Sequence, residues 1–259
     1  MTRDVHERHQ KARGWPRIAP VAFDDTSRLI PGQYASQPEH ALADLADDDA
    51  GRDNLIRLAG ATNARLQAQE ERHPQGLSRA DMVFGVPYSK IINASFAYTG
   101  QGARFHAATS VRGAWYCALD LRTAIAEVAY HRIRMLAEIG RDTEADIPYR
   151  QFVADVHGQD FAWLDDRSKR TRACLDPDSY AAGQALGDQL RARAAGGVVY
   201  PAVRDPDGTN LAVLQPSLVG NVRYGELVLL TIEDGRIVQL DDDGGLLPSW
   251  QSVSPTPIR

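Results

Sequence analysis

The sequence predicts an α+β fold in which helices and strands segregate instead of alternating. Two stretches, 123–139 and 177–194, carry clear helical periodicity, and strand-like runs bounded by turn residues outnumber helices late in the chain. A doubly wound α/β order would require regular alternation, which this chain lacks. At 259 residues, with 43% hydrophobic residues, it can bury a sizeable core without disulfides or a structural metal.

Taken in order, residues 1–26 are polar and broken by Trp15-Pro16 and Asp24-Asp25, and they read as an N-terminal extension, in part a frayed helix. Residues 27–259 form one domain. A short extended piece at 28–33 is closed by Pro31-Gly32. The stretch 40–49 ends in the acidic Asp47-Asp48-Asp49, a solvated helix end and loop. Leu55, Leu58, Ala59 and Leu66 lie at helical spacing within 54–69, and Ser78 followed by Asp81 resembles an N-cap. Strands follow at 102–107 and 114–119. The helix at 123–139 carries Ile125, Val128, Ala129, Ile133 and Leu136 on one face; Asp120 or Thr123 caps it and Gly140 ends it. Short β-like pieces at 152–156 and 160–164 flank a turn at His157-Gly158. The helix at 177–194 has Pro177 near its start and Gly196-Gly197 past its end. Strands at 198–204 and 211–215 flank the loop Asp205-Pro206-Asp207-Gly208, and 227–240 reads as a hairpin turning at Asp234-Gly235.

The formal net charge of −5 argues against direct nucleic-acid binding and against a polybasic membrane surface. Two distant cysteines, Cys117 and Cys174, suit a reducing compartment and make neither a zinc knuckle nor a redox pair. The charged Met1–Arg17 segment has no apolar core of a signal peptide, and no apolar run approaches the ~20 residues of a membrane span. A cytoplasmic protein is expected.

Familiar cradles are missing. His6-Glu7-Arg8-His9 lacks the histidine spacing of a zinc helix, and Asp205-Pro206-Asp207-Gly208 lacks the later glutamate of a calcium loop. There is no glycine-rich dinucleotide fingerprint, P-loop or nucleophile elbow. What remains is a set of polar residues in strand-like or apolar surroundings. Arg104 sits in Gly102-Ala103-Arg104-Phe105, and Tyr116 in Gly113-Ala114-Trp115-Tyr116-Cys117. Glu127 stands alone among Ala124, Ile125, Ala126, Val128 and Ala129. Such a carboxylate is either a helix-dipole partner on the solvent face or a group held in a pocket. Arg104 is likewise a surface or a site residue, and Tyr116 a core or a site residue.

Those segments, with Gly197-Val198-Val199-Tyr200-Pro201-Ala202-Val203-Arg204 and Asn210-Leu211-Ala212-Val213, resemble the RES domain in order and spacing. Arg28-Leu29-Ile30-Pro31, Asn93-Ala94-Ser95-Phe96 and Leu175-Asp176-Pro177-Asp178-Ser179-Tyr180 resemble its longer members, so the likeness runs over roughly 27–225. It implies a fold like that of ADP-ribosyltransferases. It also implies a toxin that degrades NAD by hydrolysis or phosphorolysis, an NAD glycohydrolase or NAD phosphorylase. The partner it implies is an Xre-type helix-turn-helix antitoxin covering the active site; a homodimer is compatible with it. The alternatives are protein ADP-ribosylation and a catalytically inactive binding module. NAD is then substrate, with no cofactor and no metal. Glu127 would grip the ribose hydroxyls as positive charge develops, Arg28 and Arg104 the pyrophosphate, and Tyr116 the nicotinamide or its ribose, with Asn210 beside them.

One position departs from the family. The family serine should fall in Tyr-Pro-Ser-Val-Arg, where this chain has Tyr200-Pro201-Ala202-Val203-Arg204. The catalytic position Ala202 has no hydroxyl. Three readings stay open: a deliberate Ser→Ala change, lost activity with binding retained, or substitution by Ser217, Thr209 or Asn210.

Overall fold

The computed structural model describes residues 15–35 and 81–241. The readings made for 40–49, 54–69 and Ser78 lie outside them. Seven strands form the main sheet: β1 (Arg17–Pro31), β4 (Trp115–Ala118), β5 (Glu144–Trp163), β6 (Gly197–Pro201), β7 (Thr209–Val213), β8 (Val219–Glu233) and β9 (Arg236–Asp241). A separate two-stranded hairpin joins β2 (Gly102–Ala103) to β3 (His106–Ala107). The longer helices are α1 (Ser89–Ala97), α2 (Leu121–Glu138), α3 (Lys169–Cys174) and α4 (Ala181–Arg191), beside single helical turns at Gly32–Ala35 and Pro216–Leu218. The α+β class read from the sequence holds.

The sheet order is β1-β4-β7-β6-β5-β8-β9, and β1 pairs additionally with β5. The path β1-β4-β7-β6-β5 therefore returns to β1 and closes a ring, with β8 and β9 continuing outward from β5. Only β5 and β6 run parallel. The seam between β1 and β4 is thin, carried by Ser27 opposite Ala118.

Period-two alternation sorts the strand residues into separate cores. Trp115, Cys117, Val199, Leu211 and Val213 join Val21, Phe152 and Phe161 in one cluster to which every ring strand contributes. Their neighbours Ala114, Val198, Tyr200 and Ala212 point the other way, into a cluster under α3 and α4 with Phe105, Leu186 and Leu190. A third cluster lies beneath α2, where Ile125, Ala129, Ile133 and Leu136 meet Leu29, Ile147, Tyr149, Leu230 and Ile232.

Several elements follow the sequence closely. Asp120 caps α2, its Oδ1 accepting from the Thr123 N–H at 2.8 Å. Gly140, at φ 71, ends it with the paired bonds Gly140 N to Ala137 O and Arg141 N to Leu136 O. Asp234 and Gly235, at φ 48 and 67, make the turn between β8 and β9.

Other elements differ. Strand β1 begins at Arg17, inside the segment read as an extension, because β5 offers it partners from Arg17↔Trp163 to Pro31↔Tyr149. The expected turn at His157-Gly158 is instead continuous β5, since both residues pair with β1, opposite Ala22 and Val21. The strand expected over 102–107 folds back on itself as the β2–β3 hairpin. Helix α4 starts at Ala181, not Pro177. The Asp176 carboxylate takes the N–H groups of Asp178 and Ser179 at 2.8 and 2.9 Å, holding them in a turn.

Gly183 and Gly187, one turn apart on α4, let that helix approach the hairpin. A Cβ on either would collide with a main-chain carbonyl, of Arg104 and of Phe105 respectively. Backbone faces both glycines, so neither collision relieves itself by a rotamer change. Gly187→Ala is expected to cost about 1–3 kcal/mol. A denaturation midpoint unchanged from that of the parent would refute this close packing.

Candidate active site

Helix α2, strands β1, β4, β6 and β7, and the β2–β3 hairpin surround a cleft of about 360 Å³. Five of the residues singled out from sequence line it together: Arg28, Arg104, Tyr116, Glu127 and Asn210.

Glu127 is the one carboxylate among the described residues of the lining. Its position depends on how α2 is anchored. Thr123, fully buried, has its hydroxyl 3.0 Å from Asp120 Oδ2 and 2.8 Å from Oδ2 of the buried Asp205 in the β6–β7 loop. Arg122 lies 3.3 Å from the other Asp205 oxygen. Gly208 of the same loop packs against Thr123 where any Cβ would collide. One turn further along α2, Glu127 Oε1 accepts a hydrogen bond from Asn210 Nδ2 at 2.8 Å. Asn210 is 4% exposed and pairs across β7 with both Ala118 and Tyr200.

The two arginines are oriented by main-chain carbonyls and aromatic rings. Arg104, 7% exposed, donates through Nη1 to the carbonyls of Cys174 and Asp176 at 3.1 and 2.7 Å, and its guanidinium stacks 4.7 Å from the Tyr180 ring centroid. Arg28 donates to the Tyr116 carbonyl at 2.9 Å and stacks 4.7 Å from the Trp115 ring centroid. Its Nε is buried without a partner. Neither guanidinium forms an ion pair with a carboxylate among the described residues. Burial lowers the Arg28 pKa to about 10.

Tyr116 is committed to architecture. Its hydroxyl accepts from the Phe105 N–H at 3.1 Å and meets His106 Nδ1 at 3.1 Å, so it ties β4 to the hairpin that carries Arg104. Burial raises its pKa well above the ordinary tyrosine value. Arg204 ties the opposite wall: it donates to the Pro177 carbonyl at 2.6 Å and lies 3.4 Å from the Tyr130 ring centroid on α2.

Ala202 is placed otherwise. It is buried just past β6, its N–H donates to the Gly208 carbonyl at 2.9 Å, and it does not line the cleft. Of the three residues considered as substitutes, only Asn210 reaches the lining. Sequence reasoning passed over Ser27, His131, Tyr180 and Tyr200, which also line it. His131 could have been found at four residues beyond Glu127, on the same helical face. Ser27 had no local signal; it reaches the cleft because it lies at the seam with β4. Among the described residues no group of three or more His, Cys, Asp or Glu could hold a metal ion, and no helix is long and apolar enough to cross a membrane.

The site is thus a cleft in an α+β domain, lined by two arginines and one half-buried carboxylate. The RES domain family matches residues 77–233, more than half of the chain. The chain belongs to the RES domain family. Among solved structures it is similar to the M. tuberculosis MbcT–MbcA toxin–antitoxin complex, at 21% identity, with 53% of this chain and 76% of that chain covered and a TM-score of 0.36. That likeness is too loose to bear on function. No curated protein matches the chain.

Burial raises the Glu127 pKa above 4.5, while Arg104, the Asn210 amide and Arg204 oppose the shift. The folded state therefore binds this proton more tightly than the unfolded chain. Its stabilising contribution is present below the unfolded value and is lost as pH rises through the raised one. Glu127→Gln is expected to melt at or above the parent temperature at pH 8, with the difference closing toward pH 4. A variant clearly less stable at pH 8 would show that the carboxylate charge supports the fold.

Proposed function

We propose that this chain is the toxin of a toxin–antitoxin pair and consumes NAD by breaking its nicotinamide–ribose bond. The observation that carries this reading is the meeting, in one cleft, of the Glu127–Asn210 hydrogen bond with two arginines that form no ion-pair contact among the described residues. A guanidinium without a carboxylate partner in a cleft suits a phosphate-bearing ligand, and Arg28 and Arg104 supply two such groups for a pyrophosphate. A carboxylate oriented by the Asn210 amide and the Arg204 backbone N–H is positioned to accept from ribose hydroxyls.

Cleavage of that bond passes through an oxocarbenium-like ribose, as in glycoside cleavage. Glu127 in its charged form binds such a ribose more tightly as positive charge grows, so its contribution falls on the transition state. Nicotinamide leaves as a neutral molecule, its ring recovering the bonding pair, which needs no metal. Water or phosphate then takes the ribose carbon. NAD serves as substrate and no resident cofactor is involved. The RES resemblance supports an ADP-ribosyltransferase-like arrangement of the sheet, a cytoplasmic setting and an Xre-type antitoxin that covers the cleft. An enzyme that drains NAD harms any cell, which supplies a physiological reason for such a partner.

Asn210 takes the place of the missing serine hydroxyl as the polar neighbour of Glu127. On this reading the Glu127–Asn210 pair carries the activity, and Ala202, buried outside the cleft lining, does not abolish it.

Glu127→Gln is expected to slow NAD loss roughly a hundredfold, for ~3 kcal/mol of transition-state stabilisation. Unchanged turnover would make Glu127 structural and sink the catalytic assignment. The acid limb of kcat/KM should lie above the ordinary glutamate range, because burial raises the Glu127 pKa and the charged form is required. Asn210→Ala, which removes a bond to the carboxylate, should move that limb to higher pH; a limb that stays put would separate Asn210 from the ionisation. NAD loss by the protein and its Ala202→Ser variant, with and without phosphate, identifies the acceptor through free ADP-ribose or its 1″-phosphate. No consumption by either one would overturn the enzyme reading, and a labelled protein band would redirect it to protein ADP-ribosylation.

A further inference from the structure

His131 lines the cleft from the same face of α2 as Glu127, four residues and about one turn further on. Most other polar groups of the lining are already engaged. Asn210 donates to Glu127, the Tyr116 hydroxyl is held by Phe105 and His106, and the Ser27 hydroxyl accepts from Gln151 Nε2 at 2.9 Å. The arginines are donors only, and burial pushes the Tyr200 hydroxyl well above the ordinary tyrosine value, which removes it as a base near neutral pH. The His131 ring meets the Tyr130 ring edge-on at 5.5 Å and makes no hydrogen bond to the described residues. It lines the cleft and is exposed to solvent.

Resting on the NAD-cleaving reading above, we infer that His131 is the base that takes the proton of the attacking water. In that step a water oxygen bonds to the ribose carbon as the carbon–nicotinamide bond breaks. The bonding pair leaves with nicotinamide, and the water proton passes to the imidazole and then to solvent. Glu127 keeps its charge to hold the ribose and need not accept that proton. A phosphate dianion already carries the negative charge that water must acquire by losing a proton, so it makes a smaller demand on His131.

The surroundings favour the neutral imidazole, the form a base needs. Burial lowers its pKa most, with Arg204 from the β6–β7 loop, Arg134 on α2 and Arg104 from the hairpin acting in the same direction. The groups facing it from the neighbouring elements are therefore cationic, and Glu127 on its own helix is the facing carboxylate of the lining.

The test compares the protein with His131→Gln and His131→Ala, each also in the Ala202→Ser background, with thermal melts to check folding. In phosphate-free buffer both variants should form ADP-ribose at least tenfold more slowly, with KM for NAD changed less than twofold. Added imidazole should restore part of the rate to His131→Ala. At saturating phosphate the loss in nicotinamide release should be several-fold smaller. Unchanged hydrolysis, or an equal loss with both acceptors and no imidazole rescue, would overturn the role of His131 while leaving NAD cleavage intact. A parent that cleaves NAD only with phosphate would overturn it too, since no water is then activated. If neither the parent nor Ala202→Ser consumes NAD, the underlying reading fails instead.

Discussion

The contact on which the site depends is the clamp between the start of α2 and the β6–β7 loop. Thr123 is buried between two carboxylates, Asp120 of its own helix cap and Asp205 of the loop, and Gly208 has given up a side chain to let them meet. The same loop runs directly into β7, which carries Asn210. Fixing one end of α2 to one end of β7 therefore fixes Glu127 against Asn210, and the 2.8 Å bond between them follows from that anchoring. Without the clamp the helix would still bury Ile125 and Ala129. Its N-terminal turn, next to Glu127, would then lose the polar contacts that set its rotation to the few degrees a hydrogen bond requires.

A second anchoring sets the arginines. The β2–β3 hairpin is too short to be stable alone, and it is pinned by the Tyr116 hydroxyl on one side and by the glycine face of α4 on the other. Arg104 is thereby carried into the cleft on a rigid turn. Its side chain is oriented by main-chain carbonyls, which fix direction without neutralising charge. Arg28 is treated in the same way, by a carbonyl and an indole face. Both arrangements spend stability to leave a cation available. Glu127, desolvated and raised in pKa, is the complementary case.

Much of this was legible in the sequence where local chemistry decides. The α2 cap, its glycine stop and the Asp234-Gly235 turn are written in single residues whose preferences dominate their surroundings. Arg104, Tyr116 and Glu127 drew notice as polar residues in strand-like or apolar surroundings, Arg28 and Asn210 through the family resemblance, and all five line one cleft. What was not legible depends on pairing across the chain. The continuous run of β5 through His157-Gly158 is imposed by β1, more than a hundred residues away, and the strand character of 17–26 is imposed by β5 in return. Ser27 enters the site only because the ring closes there. Ala202 shows the opposite limit: a residue assigned to the site from family spacing is buried and does not line the cleft.

Two guanidinium groups held by neutral partners have a further consequence. If they grip a pyrophosphate as proposed, other dissolved anions compete for the same two groups. Sulfate or phosphate in a storage buffer would compete with a pyrophosphate ligand at Arg28 and Arg104, and by mass action would also raise the melting temperature of the protein. Affinities measured in different salts then describe different starting states, and the ionic make-up of the cell becomes a background inhibitor against which any substrate has to bind.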